Sequence, residues 1–190
     1  MLGLPRGGVP VADEIARALG GSLDLWIVRK LGAPHQPELG MGAIAEGPAV
    51  VVDRTIVHLL GIDAPRLLAV ARREMENVRR RVERFRGGRP LPALQGRTVI
   101  LVDDGIATGG TMRAAIRAIR KRGPARLVVA APVAASEVAA ALRREVDELV
   151  CLHETDELYA IGLWYEDFRQ IPDDEVASIL EHATRGAARA

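Results

Sequence analysis

The sequence predicts an α/β protein: a doubly wound, mainly parallel five-stranded sheet with helices on both faces. Three observations predict it. Short, nearly uniformly apolar runs alternate with helix-period segments, the pattern of strands covered on both faces. The run at 99–102 passes straight into two carboxylates and a Thr/Gly loop that opens a helix. At 190 residues, 48% hydrophobic and 27% charged, the chain suits one globular domain able to bury a sizeable core.

Charge and cysteine content narrow the classes. A net charge of +1 carries no global signal for nucleic acid or membrane. The single cysteine, Cys151, rules out an internal disulfide and reads as a buried strand residue rather than a nucleophile. No charged segment followed by an apolar core opens the chain, and no apolar run approaches a membrane span, so the cytoplasm is the expected location.

The first strand starts almost at once, at 1–4. In Leu4-Pro5-Arg6-Gly7-Gly8 the fixed φ of proline and the freedom of glycine would let amides around Arg6 wrap an anion, although the stretch alone reads first as a plain strand-to-helix connection. Residues 9–19 form a helix with Val11, Ile15, Ala18 and Leu19 on one face, stopped by Gly20-Gly21. Residues 23–28 form the second strand. Residues 29–42, with two prolines and three glycines, read as a long loop of the kind that is functional or disordered. Arg29 and Lys30 at its base would suit a lid over a polyanion, and His35 reads as solvated rather than metal-bound. Residues 43–47 and 49–52 make a hairpin or a bent strand.

Residues 63–86 form a long helix with Leu67, Ala71, Met75, Val78, Val82 and Phe85 as its apolar seam. Its other face is basic: residues 72–89 hold eight arginines against three glutamates, a local charge of +5. Phe85, on the apolar seam, is the one aromatic among the arginines, so a solvated face is favoured over a nucleic-acid patch. Residues 154–181 hold nine acids and one arginine, a charge of −8, which points to pairing of the two patches within the chain or between subunits. After the strand at 99–102 come a helix at 112–120, a strand at 126–131, a helix at 136–143 capped by Ser136, and the last strand at 148–152. A closing helix at 173–183 is capped by Asp173 and turns Val176, Ile179 and Leu180 inward. Ligands of such sheets lie beyond the carboxyl ends of the strands, which sets Arg6, Arg29, Lys30, Asp103 and Asp104 along one edge.

The chemistry concentrates at 99–111. A Gly/Thr loop at a helix N-terminus offers unpaired N–H groups and the positive dipole end to a phosphate, with the Thr108 and Thr111 hydroxyls as further donors. Asp103 and Asp104 would repel a phosphate unless they face sugar hydroxyls or a divalent cation. The site is therefore built for a phosphorylated sugar.

The motif Val-Asp-Asp-Gly-Ile-Ala-Thr-Gly-Gly-Thr at 102–111 resembles the phosphoribosyl pyrophosphate (PRPP) motif of type I phosphoribosyltransferases. Leu-Pro-Arg-Gly-Gly at 4–8 looks like that family's pyrophosphate loop, and Arg-Lys-Leu-Gly-Ala-Pro at 29–34 like its mobile loop. With Gly-Leu-Trp-Tyr-Glu-Asp-Phe at 162–168, the chain most resembles the branch called predicted phosphoribosyltransferases, whose members usually carry a leading helix before the first strand. The resemblance implies a PRPP-binding core at 1–152, with the basic helix inserted, and a hood with a closing helix at 153–190.

It also implies roles. Asp103 and Asp104 would hold the ribose hydroxyls and, through them or water, Mg²⁺. Backbone amides of Ala107, Thr108, Gly109, Gly110 and Thr111, with the two Thr hydroxyls, would take the 5-phosphate, and Gly105 and Ile106 also belong to the substrate-binding loop; Arg6, Gly7 and Gly8 would take the pyrophosphate, with Arg29 or Lys30 closing on it. Ala107 stands where 6-oxopurine enzymes carry an acid, so the base proton would pass to Glu46, with Glu38 behind it. Trp164, Tyr165, Asp167 and Phe168, in a segment holding four of the six aromatics, are the expected source of base recognition, with plain packing an equal reading for Trp164 and Phe168. The implied reaction transfers a phosphoribosyl group to a small nitrogenous acceptor, in a homodimer with neither membrane nor nucleic acid as partner. The alternative is a non-catalytic PRPP- or nucleotide-binding regulator whose basic helix meets nucleic acid.

Overall fold

A computed structural model describes residues 1–34, 36–47 and 49–187. The elements, in order, are β1 (Leu2–Gly3), α1 (Gly8–Leu19), β2 (Asp24–Leu25), β3 (Val28–Ala33), β4 (Gln36–Ala45), β5 (Ala49–Val52), α2 (Arg54–Leu59), α3 (Ala64–Arg86), β6 (Thr98–Val102), α4 (Gly110–Arg120), β7 (Arg126–Ala135), α5 (Ser136–Leu142), β8 (Glu148–Thr155) and α6 (Asp173–Ala187). A 3-10 turn at Ile161–Trp164 lies between the last two. His35 lies outside the described residues.

Five strands pair in parallel in the order β2-β1-β6-β7-β8. Alternate side chains leave opposite faces, so Leu101 joins one core with Ile116, Ile119 and Leu142, while its neighbour Val102 joins another with Val9, Val78 and Leu180. Helices α4 and α5 thus cover one face; α1, α3 and α6 cover the other. That is the doubly wound arrangement expected from the sequence.

The expected long loop is instead an antiparallel hairpin. Val28 pairs with Ala45, Lys30 with Ala43 and Leu31 with Gly42, and β5 extends the ladder to three strands, with Ala43 opposite Val51. Leu31, Met41 and Ile44 are wholly buried beneath it, which anchors a stretch whose prolines and glycines hid any alternation. Gly42 has φ 150°, and a Cβ there would stand 2.1 Å from the Val51 carbonyl oxygen. The hairpin expected over 43–52 is present as β4 and β5.

Helix α2 was not foreseen; Asp53 starts it by accepting from the Thr55 and Ile56 amides at 3.0 and 3.1 Å. The long helix α3 is capped by Asp63, which accepts from the Arg66 amide at 2.9 Å, and ends at Gly87 in the left-handed region. The basic and acidic patches do meet within the chain. Arg84 pairs with Asp173 at 3.0 Å and with Asp174 at 3.3 Å, and Arg89 donates to the Thr184 hydroxyl.

Candidate active site

The turn after β1 is built against the tip of β6. The Leu4 amide donates to the Val102 carbonyl at 2.8 Å, and the Gly8 amide closes back on the Leu4 carbonyl at 3.0 Å. Gly7 has an ordinary right-handed conformation, φ −64°, so conformational freedom is not what it supplies. Space is. A Cβ on Gly7 would lie 1.7 Å from an Asp104 carboxylate oxygen, and one on Gly8 would lie 2.5 Å from the Val102 carbonyl oxygen. The two expected anion and sugar subsites are therefore in direct contact, and the peptide between Pro5 and Arg6 is cis.

Asp103 accepts the Asp104 amide at 3.0 Å. Burial pushes the Asp103 carboxyl well above the usual range, and the adjacent Asp104 charge adds to it; burial raises Asp104 as well. Among the described residues, no arginine or lysine pairs with either. A hydrated divalent cation or a set of sugar hydroxyls is what such an oxygen-only pair suits. No group of three or more metal-ligating side chains occurs among the described residues, so Mg²⁺ would be held here together with oxygens of its ligand.

The loop after the carboxylates is pinned by Ile106, whose amide donates to the Val133 carbonyl at 2.9 Å while its carbonyl accepts from Ala135 at 3.0 Å. From this anchor the chain turns at Gly109, in the left-handed region with φ 72°, into α4. That helix begins without a side-chain cap, so its first-turn N–H groups face outward from the segment holding Ala107, Thr108, Gly110 and Thr111. A Cβ on Gly105 would stand 2.6 Å from Ile161, which shows the hood seated on this loop.

Tyr165 fastens the hood. Its hydroxyl donates to the Asp104 carbonyl oxygen at 2.6 Å, and its ring tilts against Phe168 at 5.1 Å. Burial, then the charges of Asp104 and Asp103, push the phenol up to about 12, so it stays a donor at neutral pH. Arg6, Gly7, Asp104, Tyr165, Asp167 and Phe168 line one hollow of about 470 Å³. Trp164 is not part of that lining; it packs instead against His153, with ring centroids 5.4 Å apart. A larger groove of about 800 Å³ runs along α3, floored by Glu46 and Arg86. Those two groups already satisfy each other, which leaves the smaller hollow as the one with unmatched acceptor chemistry.

Three expected residues do not line that hollow. Arg29 donates from Nε to Glu74 at 3.2 Å, held against α3, and Lys30 sits beside it on β3. Glu46 is 4% exposed, takes both Arg86 terminal nitrogens at 2.5 and 3.1 Å, and accepts the Ile27 amide at 3.0 Å. Burial pushes its carboxyl up against the pull of Arg86, but its oxygens are occupied and turned into the core. Glu46 is thus an anchor for Arg86 rather than an exposed proton acceptor. The Glu38 side chain lies outside the described residues.

Two further residues organise the site. Glu74 receives Arg29, Arg73 and Asn77, and Asp173 pairs with Arg6 at 3.7 Å. Glu74 was legible, being a carboxylate four residues from both Val70 and Val78 on the buried stripe of α3. The partners of Asp173, 167 and 89 residues away in sequence, were not.

A family model described as the phosphoribosyl transferase domain matches residues 1–162. The chain belongs to that family. Two proteins from strains of Mycobacterium tuberculosis, each named "Putative phosphoribosyl transferase", are 44% identical over 190 residues, which is all of this chain and 43% of theirs. This phosphoribosyltransferase-family chain thus spans less than half the length of those relatives. The crystal structure of TT1426 from Thermus thermophilus is 45% identical, with a TM-score of 0.84 over 95% of this chain and 86% of that one. The fold is that of a type I phosphoribosyltransferase.

Proposed function

We propose that this chain transfers the phosphoribosyl group of PRPP to a nitrogenous acceptor, a nucleobase in the simplest case, with release of pyrophosphate. One observation carries the reading: two half-buried carboxylates, with no cationic partner among the described residues, rest directly on the Arg6-Gly7-Gly8 turn and are roofed by Tyr165. In this reading the α4 N-terminus and the 107–111 loop bind the 5-phosphate, and Asp103 and Asp104 orient the ribose through its hydroxyls. Mg²⁺, bound with PRPP, would supply charge neutralisation to the pyrophosphate. The carboxylates tolerate positive charge growing on the sugar as the anomeric carbon–oxygen bond breaks and the bond to the acceptor nitrogen forms. Arg6 steadies the departing pyrophosphate. The hollow between Asp104 and the hood receives the acceptor, with Tyr165 and Phe168 offering ring faces. A cytoplasmic site of action and a homodimer belong to the same proposal; no described helix is long and apolar enough to cross a membrane.

A second reading rests on Ala107 and on the sequestered Glu46, which together leave the loop without an acid to handle the acceptor's proton. It is a PRPP-binding regulator without turnover. Incubating the protein with PRPP, Mg²⁺ and a panel of nucleobases, and reading pyrophosphate release, separates the two. Release with at least one base is expected. Tight PRPP binding with no release for any base would favour the regulator, and no PRPP binding would remove both.

A further inference from the structure

The long helix α3 carries several arginines that the reading above does not use, and Arg81 stands apart from the rest. Glu74 and Arg81 are seven residues apart, two turns that return to within about 20° of the same azimuth, about 10 Å along the axis. Arg84 follows within a turn. At one end of this stripe Glu74 holds Arg29 at 3.2 Å; at the other Arg84 holds Asp173 at 3.0 Å, which in turn reaches Arg6 at 3.7 Å. Arg81 therefore lies on the span that joins the base of the β3–β4 hairpin to the turn after β1. It is half-buried, and its guanidinium carbon stands 5.8 Å from the centre of the Phe85 ring.

The charges around it do not balance. Glu74 is shared between Arg29 and Arg73, and Asp173 between Arg6 and Arg84, so that even with Asp174 on Arg84 three carboxylates face five arginines. Among the described residues, Arg81 has no carboxylate at ion-pair distance. Burial first, then the like charges of Arg29 and Arg6, push it below the ordinary arginine range, with Asp173 opposing. A guanidinium stays protonated under such pressure, so the cluster keeps a surplus of positive charge that an anion would relieve. A solvated helix face does not account for this residue. Arg79, two positions earlier with a side chain 75% exposed, shows what one looks like.

We propose that Arg81 is a ligand for the pyrophosphate group, supplied by α3 to the same subsite as Arg6 and Arg29. The inference rests on the PRPP reading and extends it: the subsite is built from three elements, with the Phe85 ring setting the direction of the guanidinium. Arg81 grips the pyrophosphate of PRPP and the released product alike, and has no part in holding ribose 5-phosphate.

Calorimetry on the full chain with Mg²⁺, using PRPP, pyrophosphate and ribose 5-phosphate as separate probes, tests it with Arg81→Gln, Arg81→Lys and Arg79→Gln. Arg81→Gln is expected to weaken PRPP and pyrophosphate by about tenfold, as for one lost charge-assisted hydrogen bond, and to leave ribose 5-phosphate unchanged. Arg81→Lys recovers part of the loss, since it keeps the charge without the planar fork. Arg79→Gln changes nothing. Equal losses in Arg79→Gln and Arg81→Gln would show a diffuse field and overturn the proposal, as would unchanged pyrophosphate binding in Arg81→Gln. Wild-type protein that binds neither PRPP nor pyrophosphate would remove the underlying reading along with it.

Discussion

Asp103 and Asp104 show how far a single residue's chemistry can be read before any fold is known. Two adjacent acids ahead of a Gly/Thr loop demand a partner that is neither bare phosphate nor solvent, and the structure half-buries them with no cation paired to them among the described residues. The Gly7-Gly8 pair was legible as a special turn but for the wrong reason, because close approach to Asp104 is a tertiary fact that no local pattern carries. The acid pair has a measurable cost. A carboxyl whose folded value lies above its ordinary 3.8 keeps a proton that the unfolded chain has released, so folding stability falls as pH rises through that titration. Asp103→Asn removes the repulsion while its amide oxygen still accepts the Asp104 amide. In metal-free buffer it should raise the melting temperature at neutral pH by about 2–4 °C and flatten the pH dependence, while PRPP affinity collapses. Thermal melts at several pH values, with calorimetry for PRPP, check both halves; a variant less stable than wild type at neutral pH would contradict the account.

At the scale of elements, strands buried on both faces and helices with a clear apolar seam were readable, because each declares itself through its own periodicity. The β3–β4 hairpin was not. Its strength lies in pairing between residues 28–33 and 36–45 and in three side chains, Leu31, Met41 and Ile44, that only the assembled core makes informative. Glu46 shares that history: a glutamate at a strand end looks catalytic until the last turn of α3 delivers Arg86 to it across 40 residues of sequence. The pair ties the three-stranded sheet to α3, and Arg86 also bonds Asp24 at 3.0 Å and the Leu25 carbonyl at 2.8 Å. Glu46→Gln leaves a buried guanidinium short of its main counter-charge, which should cost roughly 3 kcal/mol. Chemical denaturation reads this as a lower midpoint, while PRPP affinity and turnover per folded molecule hold. Slower turnover with the midpoint unmoved would instead return Glu46 to a role in proton transfer.

For the whole molecule, the layering of helices on a parallel sheet followed from the order of elements, whereas the closure of the chain on itself did not. Opposed charge at 72–89 and 154–181 said that two surfaces would meet; it could not say that α6 would lie against both α1 and α3. Val176 and Leu180, four residues apart and both wholly buried, carry that contact into the core containing Val9, Val78 and Leu25. Exposed ion pairs such as Arg84–Asp174 add little beside such burial. A division of the chain into a core to residue 152 and a hood thereafter therefore follows chain order, and α6 should unfold with the sheet. The two tryptophans make this testable, since Trp26 is wholly buried beside the sheet and Trp164 sits in the hood. In a Trp26→Phe background, Trp164 fluorescence reports the hood while far-ultraviolet dichroism reports the sheet and helices. Leu180→Ala opens a cavity worth about 3 kcal/mol, equivalent to a fall of roughly 6–12 °C in melting temperature. Both probes should shift together by that amount, because a side chain shared with the sheet core cannot be lost from one unit alone. A shift in the Trp164 signal with the dichroism unmoved would show residues 153–187 folding as a separate unit.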